Sequence, residues 1–303
     1  MPALDPLSFF FWDKPRILVD IRPVRSFRKG SLEGARSFPL EEHYNIAEFL
    51  NQEFIVKSKK PLHLIDLDGK TAKDFSQLIN LSYLEGGYKN FKAWREKAFE
   101  DGSQTNVLGG YTGSGKTELL NFMAQRGYQV INLEALANHR GSVFGKIKNN
   151  VQPHHEQFQN QLLKLWLSLD ENKPVWIEEK GPFVGKNGIP QSLQKKMMNS
   201  TIYHLEVPFE KRLLYLIRVY GNFDSSDFNN ALRKLETRMG TSNTHKALHF
   251  YNSGKLEKCF ELLLNYYDKG YDKRRSKDWK GTIIKLNHNH NDPYETLKQL
   301  ESI

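Results

Sequence analysis

Apolar positions in the first hundred residues form short runs separated by amphipathic and polar stretches. Ile17–Asp20 and Leu62–Ile65 are continuous runs of strand length, a pattern typical of strands that are buried on both faces. Residues 72–79 follow the second run with helical spacing. This alternation of strand and helix predicts a small α/β domain with a parallel sheet.

The rest of the chain repeats the alternation and becomes mostly helical towards its end. We therefore predict two domains, residues 1–100 and residues 101–303, of α/β fold class. The second is expected to be a parallel-sheet domain with a helical C-terminal part. Its predicted strands cover 107–108, 128–133, 174–177, 201–206 and 282–286, and its predicted helices cover 118–124, 209–220 and most of 227–267.

Residues 110–117 read Gly-Tyr-Thr-Gly-Ser-Gly-Lys-Thr and match the phosphate-binding loop (P-loop) pattern at every fixed position. The glycines let the backbone turn tightly, so that successive N–H groups point at a di- or triphosphate. Lys116 is predicted to reach the terminal phosphates, and Thr117 to offer its hydroxyl to Mg²⁺. The predicted phosphate-binding residues are Gly110, Gly113, Ser114, Gly115, Lys116 and Thr117.

Polar side chains follow the predicted strands, at the sheet edge where ligands bind in parallel α/β domains. Glu178 ends the strand 174–177 and is predicted to hold Mg²⁺ together with Thr117, with its neighbour Glu179 as the alternative. The loop after residue 133 carries a carboxylate, an imidazole and a guanidinium group, although an ordinary solvated loop would explain them equally well. The predicted catalytic residues are Lys116, Thr117, Glu178 and Arg140, and the substrate-binding candidates are Glu134, His139, Arg140 and Arg212.

The formal net charge is +9, and residues 1–100 hold 16 Lys and Arg against 14 Asp and Glu, so most of the excess lies in residues 101–303. A basic stretch at 273–277 lies beside Tyr271, a combination that suits RNA, although an ordinary basic surface would look the same. One cysteine excludes an internal disulfide, and no apolar run approaches a membrane span. These features favour a cytoplasmic protein with RNA, not a membrane, as its partner.

Several segments of the first domain resemble a rhodanese domain in order and spacing. They are Asp20-Ile21-Arg22, residues 30–35 and residues 84–88 with Trp94. The resemblance implies a loop after Leu62–Ile65 that carries sulfur or selenium on a cysteine thiolate. In this chain the loop reads Asp66-Leu67-Asp68-Gly69, so that Asp66 occupies the position of the cysteine. Because a carboxylate cannot hold a persulfide or perselenide, we predict no chalcogen-transferase activity for this domain.

A rhodanese-like domain ahead of a P-loop domain resembles the tRNA 2-selenouridine synthase family. The run Asn138-His139-Arg140-Gly141-Ser142 and the segment 208–213 strengthen the resemblance. Membership implies action on 2-thiouridine at the tRNA wobble position. In that family the sulfur is first alkylated with a geranyl group from geranyl diphosphate and then replaced by selenium from selenophosphate, which the cysteine of the rhodanese domain carries. Because Asp66 replaces the cysteine, we expect S-geranylation with Mg²⁺, and we expect selenium insertion to be lost or delegated to a separate rhodanese or selenium-donor protein.

Two alternatives remain open from the sequence. In a P-loop small-molecule kinase, the same loop would bind ATP, and Glu134 or Arg140 would hold the acceptor. A non-catalytic tRNA-binding protein would retain the basic surface without the chemistry. Tight, salt-sensitive tRNA binding would favour the tRNA-modifying enzyme, whereas ATP turnover stimulated by a metabolite without RNA would favour the kinase. A Lys116→Ala variant that retains full cellular function would favour the non-catalytic protein.

Overall fold

The computed structural model describes residues 3–40, 46–139 and 151–303 and divides into two compact units. Unit 1 comprises Met1–Asp101 and Pro153–Leu167, and unit 2 comprises Gly102–Gln152 and Ser168–Ile303. The division near residue 101 lies where a domain boundary was predicted. The segment 153–167 was predicted in the second domain but packs in unit 1, so the chain crosses between the units three times.

Unit 1 alternates short strands with helices. A strand and a helix lie within residues 3–12, and the longest helix of the unit ends at Glu100. In chain order its elements are β1 (Ala3–Leu4), α1 (Pro6–Phe10), β2 (Ile17–Asp20), α2 (Val24–Lys29), β3 (Arg36–Ser37), α3 (Ile46–Leu50), α4 (Glu53–Val56), β4 (Leu62–Ile65), α5 (Lys70–Leu78), β5 (Ser82–Leu84) and α6 (Gly87–Glu100).

The described strands of unit 1 form a parallel sheet in the order β1-β5-β4-β2-β3. Every residue of β2 and β4 is buried, which explains why both strands are apolar apart from Asp20 in β2 and His63 in β4. The exception in β2 is Asp20, whose carboxylate pairs with Arg22 at 2.6 Å. The α/β sheet predicted for this part of the chain is confirmed.

Unit 2 contains the remaining elements, apart from one helix. In chain order they are β6 (Thr105–Gly110), α7 (Lys116–Ala124), β7 (Gln129–Ile131), α8 (Leu133–Leu136), α9 (His155–Leu167, in unit 1), β8 (Val175–Glu178), β9 (Phe183–Val184), β10 (Asn187–Gly188), α10 (Gln191–Asn199), β11 (Ile202–Glu206), α11 (Phe209–Tyr220), α12 (Ser225–Arg233), α13 (Glu236–Met239), α14 (Thr241–Asn252), α15 (Leu256–Asp278), β12 (Ile283–Asn287) and α16 (Pro293–Glu301).

The main sheet of unit 2 is parallel over its described strands, in the order β12-β11-β6-β8-β7. Strand β6 lies at the centre, and its Leu108 is in register with Glu178 of β8 and with Tyr203 of β11. The ends of β6 and β8 therefore lie side by side, which brings the P-loop next to Glu178. Strands β9 and β10 form a separate antiparallel hairpin after β8.

Helices α11 to α15 pack around a core that includes Phe228, Phe260 and the buried thiol of Cys259. The predicted helical C-terminal part is thus confirmed, and Cys259 is a core residue whose pKa burial raises to about 12. Within the described part of the chain, every helix is too short or too polar to span a bilayer.

Candidate functional site

The P-loop, residues 110–117, connects β6 to α7 and has a backbone that depends on its glycines. Gly113 and Gly115 have φ angles of 80° and 77°, in the left-handed region that disfavours side chains. A Cβ on Gly110 would lie 2.5 Å from Ser114 Oγ, and one on Gly115 would lie 2.7 Å from His290 Cδ2. The fixed glycines of the motif therefore stand where both conformation and space require them.

Lys116 begins α7 and folds back over the P-loop. Its Nζ donates to the carbonyl oxygens of Gly110 at 2.7 Å and Tyr111 at 3.1 Å. Burial lowers the pKa of Lys116, although the nearby Glu178 opposes the effect. The ammonium is held at the loop by neutral acceptors, and an anionic phosphate oxygen is a stronger acceptor for the same donor.

Thr117 and Glu178 meet across the ends of β6 and β8. The Thr117 hydroxyl donates to Glu178 Oε2 at 3.2 Å, and Glu178 is 7% exposed. Burial alone would raise the pKa of Glu178, but Lys180 and Lys116 outweigh it and lower the pKa. A hydroxyl and an ionised carboxylate in contact are hard oxygen donors of the kind Mg²⁺ prefers, so these residues fit the predicted metal.

A lysine that the sequence reading did not single out completes this part of the site. Lys180 Nζ donates to Glu178 Oε1 at 2.8 Å and also to a carboxylate oxygen of Glu134. We call Glu134, Glu178 and Lys180 the Lys180 cluster. Burial raises the pKa of Glu134 in spite of Lys180. Burial alone would lower the pKa of Lys180, but Glu178 and Glu134 together raise it, so the lysine remains charged.

Arg212 reaches the P-loop through a fixed ion pair. Its guanidinium makes two hydrogen bonds to the Asp268 carboxylate, at 3.0 and 2.8 Å, and a third to the Thr112 carbonyl oxygen at 3.2 Å. Arg212 is 5% exposed. These contacts tie α11 and α15 to the loop, and a role for Arg212 on a phosphate would require the ion pair to open.

Helix α15 covers the start of the P-loop. The Tyr271 hydroxyl accepts from the Gly110 N–H at 2.9 Å and donates to Glu179, and burial raises the pKa of this tyrosine. One turn later Arg275 contacts His204 Nδ1 at 2.5 Å. The RNA interface predicted for the basic stretch 273–277 stays a prediction, and the hydroxyl of the neighbouring Tyr271 is bonded to the P-loop.

Two histidines after β12 line the other side of the P-loop. His290 Nε2 donates to the Gly113 carbonyl oxygen at 2.9 Å, and its ring stacks on Tyr215 with centroids 4.9 Å apart. His288 contacts the Thr296 hydroxyl at 2.7 Å, and burial lowers its pKa to about 4. The sequence alone does not place these histidines at the P-loop, because nothing local shows that β12 pairs with β11, the neighbour of β6.

The other substrate-binding candidates lie in α8 or after it in the sequence. Glu134 belongs to the Lys180 cluster and so lies close to Glu178. His139 lies just beyond the helix and is half-buried, with its backbone N–H bonded to the Glu134 carbonyl oxygen at 2.9 Å. Arg140 lies outside the described residues. Among these candidates, the structure thus brings Glu134 to the phosphate site.

In unit 1, Asp66 fills the loop in which the rhodanese resemblance places an anionic sulfur. Its two oxygens accept from the backbone N–H groups of Gly69 at 2.8 Å and Ala72 at 3.1 Å. Gly69 has φ 84°, and a Cβ there would lie 2.8 Å from the Gly86 nitrogen. Burial raises the pKa of Asp66, although its backbone hydrogen bonds oppose this. The anion-binding loop is therefore occupied by a side chain of the protein itself.

The amino-acid sequence of the chain is similar to a family model and to several known proteins. The family model described as the tRNA 2-selenouridine synthase AAA domain matches residues 103–300. The tRNA 2-selenouridine synthase of Sulfurovum sp. is 30% identical over 324 residues, covering 84% of this chain and 87% of the relative. That of Shewanella woodyi is 25% identical over 341 residues, covering 89% of this chain and 91% of the relative.

A solved structure, TT1252 from Thermus thermophilus, covers 67% of this chain and 98% of its own with 16% identity, but its TM-score of 0.34 is too low to support a conclusion. The family model alone spans more than half of the chain and contains the P-loop, the Lys180 cluster and α15. Two relatives extend the similarity over most of the chain, unit 1 included. The chain therefore belongs to the tRNA 2-selenouridine synthase family.

Proposed function

We propose that this chain modifies the wobble uridine of tRNA by transferring a geranyl group from geranyl diphosphate to the sulfur of 2-thiouridine. The observation that carries the proposal is the P-loop, with Lys116 turned into it and the Thr117–Glu178 contact beside it. This arrangement suits a diphosphate, and the family of the chain supplies the tRNA substrate. The excess of positive charge in residues 101–303 supports a polyanionic partner.

In the proposed reaction the sulfur of the base forms a bond to C1 of the geranyl group. The C1–O bond breaks, its electron pair leaves with pyrophosphate, and the N3 proton of the base is lost to solvent. Negative charge therefore grows on the diphosphate as the reaction proceeds. Lys116 and the N–H groups of the P-loop stabilise this charge, because they are already oriented before the bond breaks.

Mg²⁺, held by Thr117 and Glu178, would add positive charge against the leaving pyrophosphate. The fold keeps the oxygen donors of Thr117 and Glu178 in place. Thr117 is fixed by its position at the start of α7, and Glu178 by its position at the end of β8. Lys116 would bind the same pyrophosphate from the side of the P-loop.

We infer that residue 66 does not carry selenium in this chain. The Asp66 carboxylate accepts the loop N–H groups and has no sulfur with which to form a perselenide. Selenium insertion, where it follows, requires a separate rhodanese or selenium-donor protein. Unit 1 would then position substrate or serve as a packing partner.

The test incubates thiolated tRNA and geranyl diphosphate with the purified chain and measures nucleosides by mass spectrometry. Wild type should add one geranyl group to 2-thiouridine, and Lys116→Ala should lower the rate by roughly a hundredfold or more, since it removes a cation from the leaving group. Lys89→Ala, at an exposed position in α6, serves as the control and should keep the rate. Selenophosphate added without another protein should yield no 2-selenouridine.

Two outcomes would overturn the proposal. One is the absence of any mass gain in tRNA that the chain demonstrably binds. The other is ATP turnover stimulated by a small metabolite without RNA, which would indicate a P-loop kinase instead.

A further inference from the structure

Both carboxylate oxygens of Glu178 already have a donor within the protein. Oε2 accepts from the Thr117 hydroxyl at 3.2 Å, and Oε1 accepts from Lys180 Nζ at 2.8 Å. Lys180 also contacts Glu134, and its side chain is 13% exposed, so it is held on both sides. A permanent cation thus lies against the carboxylate that a metal at Thr117 would use.

The charges around Glu178 determine whether a cation can bind beside its carboxylate. Lys116, Lys180 and any divalent cation would share the vicinity of Glu178, and like charges in a buried site repel strongly. Within the described residues, no group of three His, Cys, Asp or Glu side chains is arranged to hold a metal. The protein alone therefore offers the metal little beyond one neutralised carboxylate and a hydroxyl.

We propose that Lys180 prevents a divalent cation from binding at Thr117 and Glu178 until a diphosphate enters the P-loop, so that metal and diphosphate bind together. The proposal rests on the proposed function, since it concerns the same site. A diphosphate brings enough negative charge to hold a second cation beside Lys116. Lys180 can then yield its place on Glu178 while it keeps Glu134 as a partner. Lys180 acts through Glu178 and is a positioning residue.

This order of binding has a chemical consequence. A metal bound ahead of substrate would leave a hydrated cation in the site, whereas a metal that arrives with the diphosphate is already bound to the group that must leave. Lys180 comes two residues after Glu178, the last residue of β8, so a short stretch of the chain holds the lysine beside the carboxylate. Glu134 reaches the cluster from the first turn of α8.

The experiment measures Mn²⁺ binding by electron paramagnetic resonance, since Mn²⁺ prefers the same oxygen ligands as Mg²⁺. Full-length wild type, Lys180→Gln and Lys180→Arg are titrated with and without inorganic pyrophosphate, with protein-free controls for the Mn²⁺–pyrophosphate complex. Without pyrophosphate, Lys180→Gln should bind Mn²⁺ on the order of tenfold more tightly than wild type, because the competing cation is gone. Lys180→Arg retains the charge and should resemble wild type.

Two further variants assign the effect to this site. Adding Glu178→Gln to Lys180→Gln should remove the gained affinity, and Lys186→Gln, an exposed lysine in the following hairpin, should bind Mn²⁺ as wild type does. Pyrophosphate should tighten Mn²⁺ binding to wild type on the order of tenfold, a result that needs no variant to fold.

Equal Mn²⁺ affinity of wild type and Lys180→Gln without pyrophosphate would overturn the proposal. So would wild-type binding of Mn²⁺ that pyrophosphate leaves unchanged while pyrophosphate itself binds. If wild type failed to bind pyrophosphate at all, the proposed function would fail, and the comparison of metal binding alone would still decide the role of Lys180.

Discussion

Gly115 and Gly127 share a left-handed backbone conformation but differ in their surroundings. Their φ angles are 77° and 85°. A Cβ on Gly115 would lie 2.7 Å from His290 Cδ2, whereas one on Gly127 would meet nothing within 4 Å. Alanine substitutions at these two positions therefore separate two free-energy costs. Both substitutions place a side chain on a left-handed backbone, but only the one at Gly115 also crowds the P-loop.

Gly115→Ala should weaken pyrophosphate binding by roughly tenfold or more, because the backbone strain and the contact with His290 both displace the loop N–H groups. Gly127→Ala should cost about 1 kcal/mol of stability and leave pyrophosphate affinity unchanged. Isothermal titration calorimetry and thermal unfolding measure the two effects. Equal pyrophosphate affinity of both variants would contradict the assignment of Gly115 to the cradle.

At the scale of elements, α9 shows why unit 1 needs a segment that is distant in sequence. Arg95 of α6 is 1% exposed, and its guanidinium contacts Asn160 at 2.5 Å, Gln159 at 2.5 Å and Glu156 at 3.2 Å, all on α9. Asn160 in turn donates to the Tyr88 hydroxyl at 2.7 Å. A buried arginine needs such partners, so α6 and α9 form one polar network.

Arg95→Met should destabilise unit 1 by about 2–4 kcal/mol, because it leaves Glu156 and two amide oxygens without their buried donor. Hydrogen exchange measured by mass spectrometry should show faster exchange in α6 and α9 and unchanged exchange in β6 of unit 2. Lys97→Met, at an exposed position of the same helix, is the control. Unchanged protection of α9 in Arg95→Met would show that the network does not hold the helix.

Elements with a strong local signal could be predicted from the sequence, and contacts between distant elements could not. The apolar runs of β2, β4 and β8 and the glycine pattern of the P-loop follow from short-range constraints on burial and backbone angles. The position of Glu178 at the sheet edge could be predicted because the residue ends a buried strand. The ion pair of Arg212 with Asp268 joins residues 56 positions apart, and the apolar spacing of α9 indicates a buried face without indicating which sheet it covers.

At the scale of the whole molecule, both units bury neutral histidines. Burial lowers the pKa of His63 in unit 1, and of His204 and His288 in unit 2, from 6.5 to about 4. Arg16 adds to the effect at His63, and Arg275 at His204. The folded chain therefore takes up protons at these sites only at a pH well below the value at which the unfolded chain does.

Stability should consequently be highest above pH 6.5 and should fall as the pH drops from about 6.5 towards 4, since the unfolded state binds more protons throughout that window. The loss should be on the order of 1 kcal/mol per histidine by about pH 5. Thermal unfolding across this range measures it. His204→Gln should remove part of the pH dependence, because the charge that would face Arg275 is absent, whereas His154→Gln, at an exposed position, should retain all of it. A midpoint that stays constant between neutral pH and about pH 5 would mean that these histidines are not held neutral by burial.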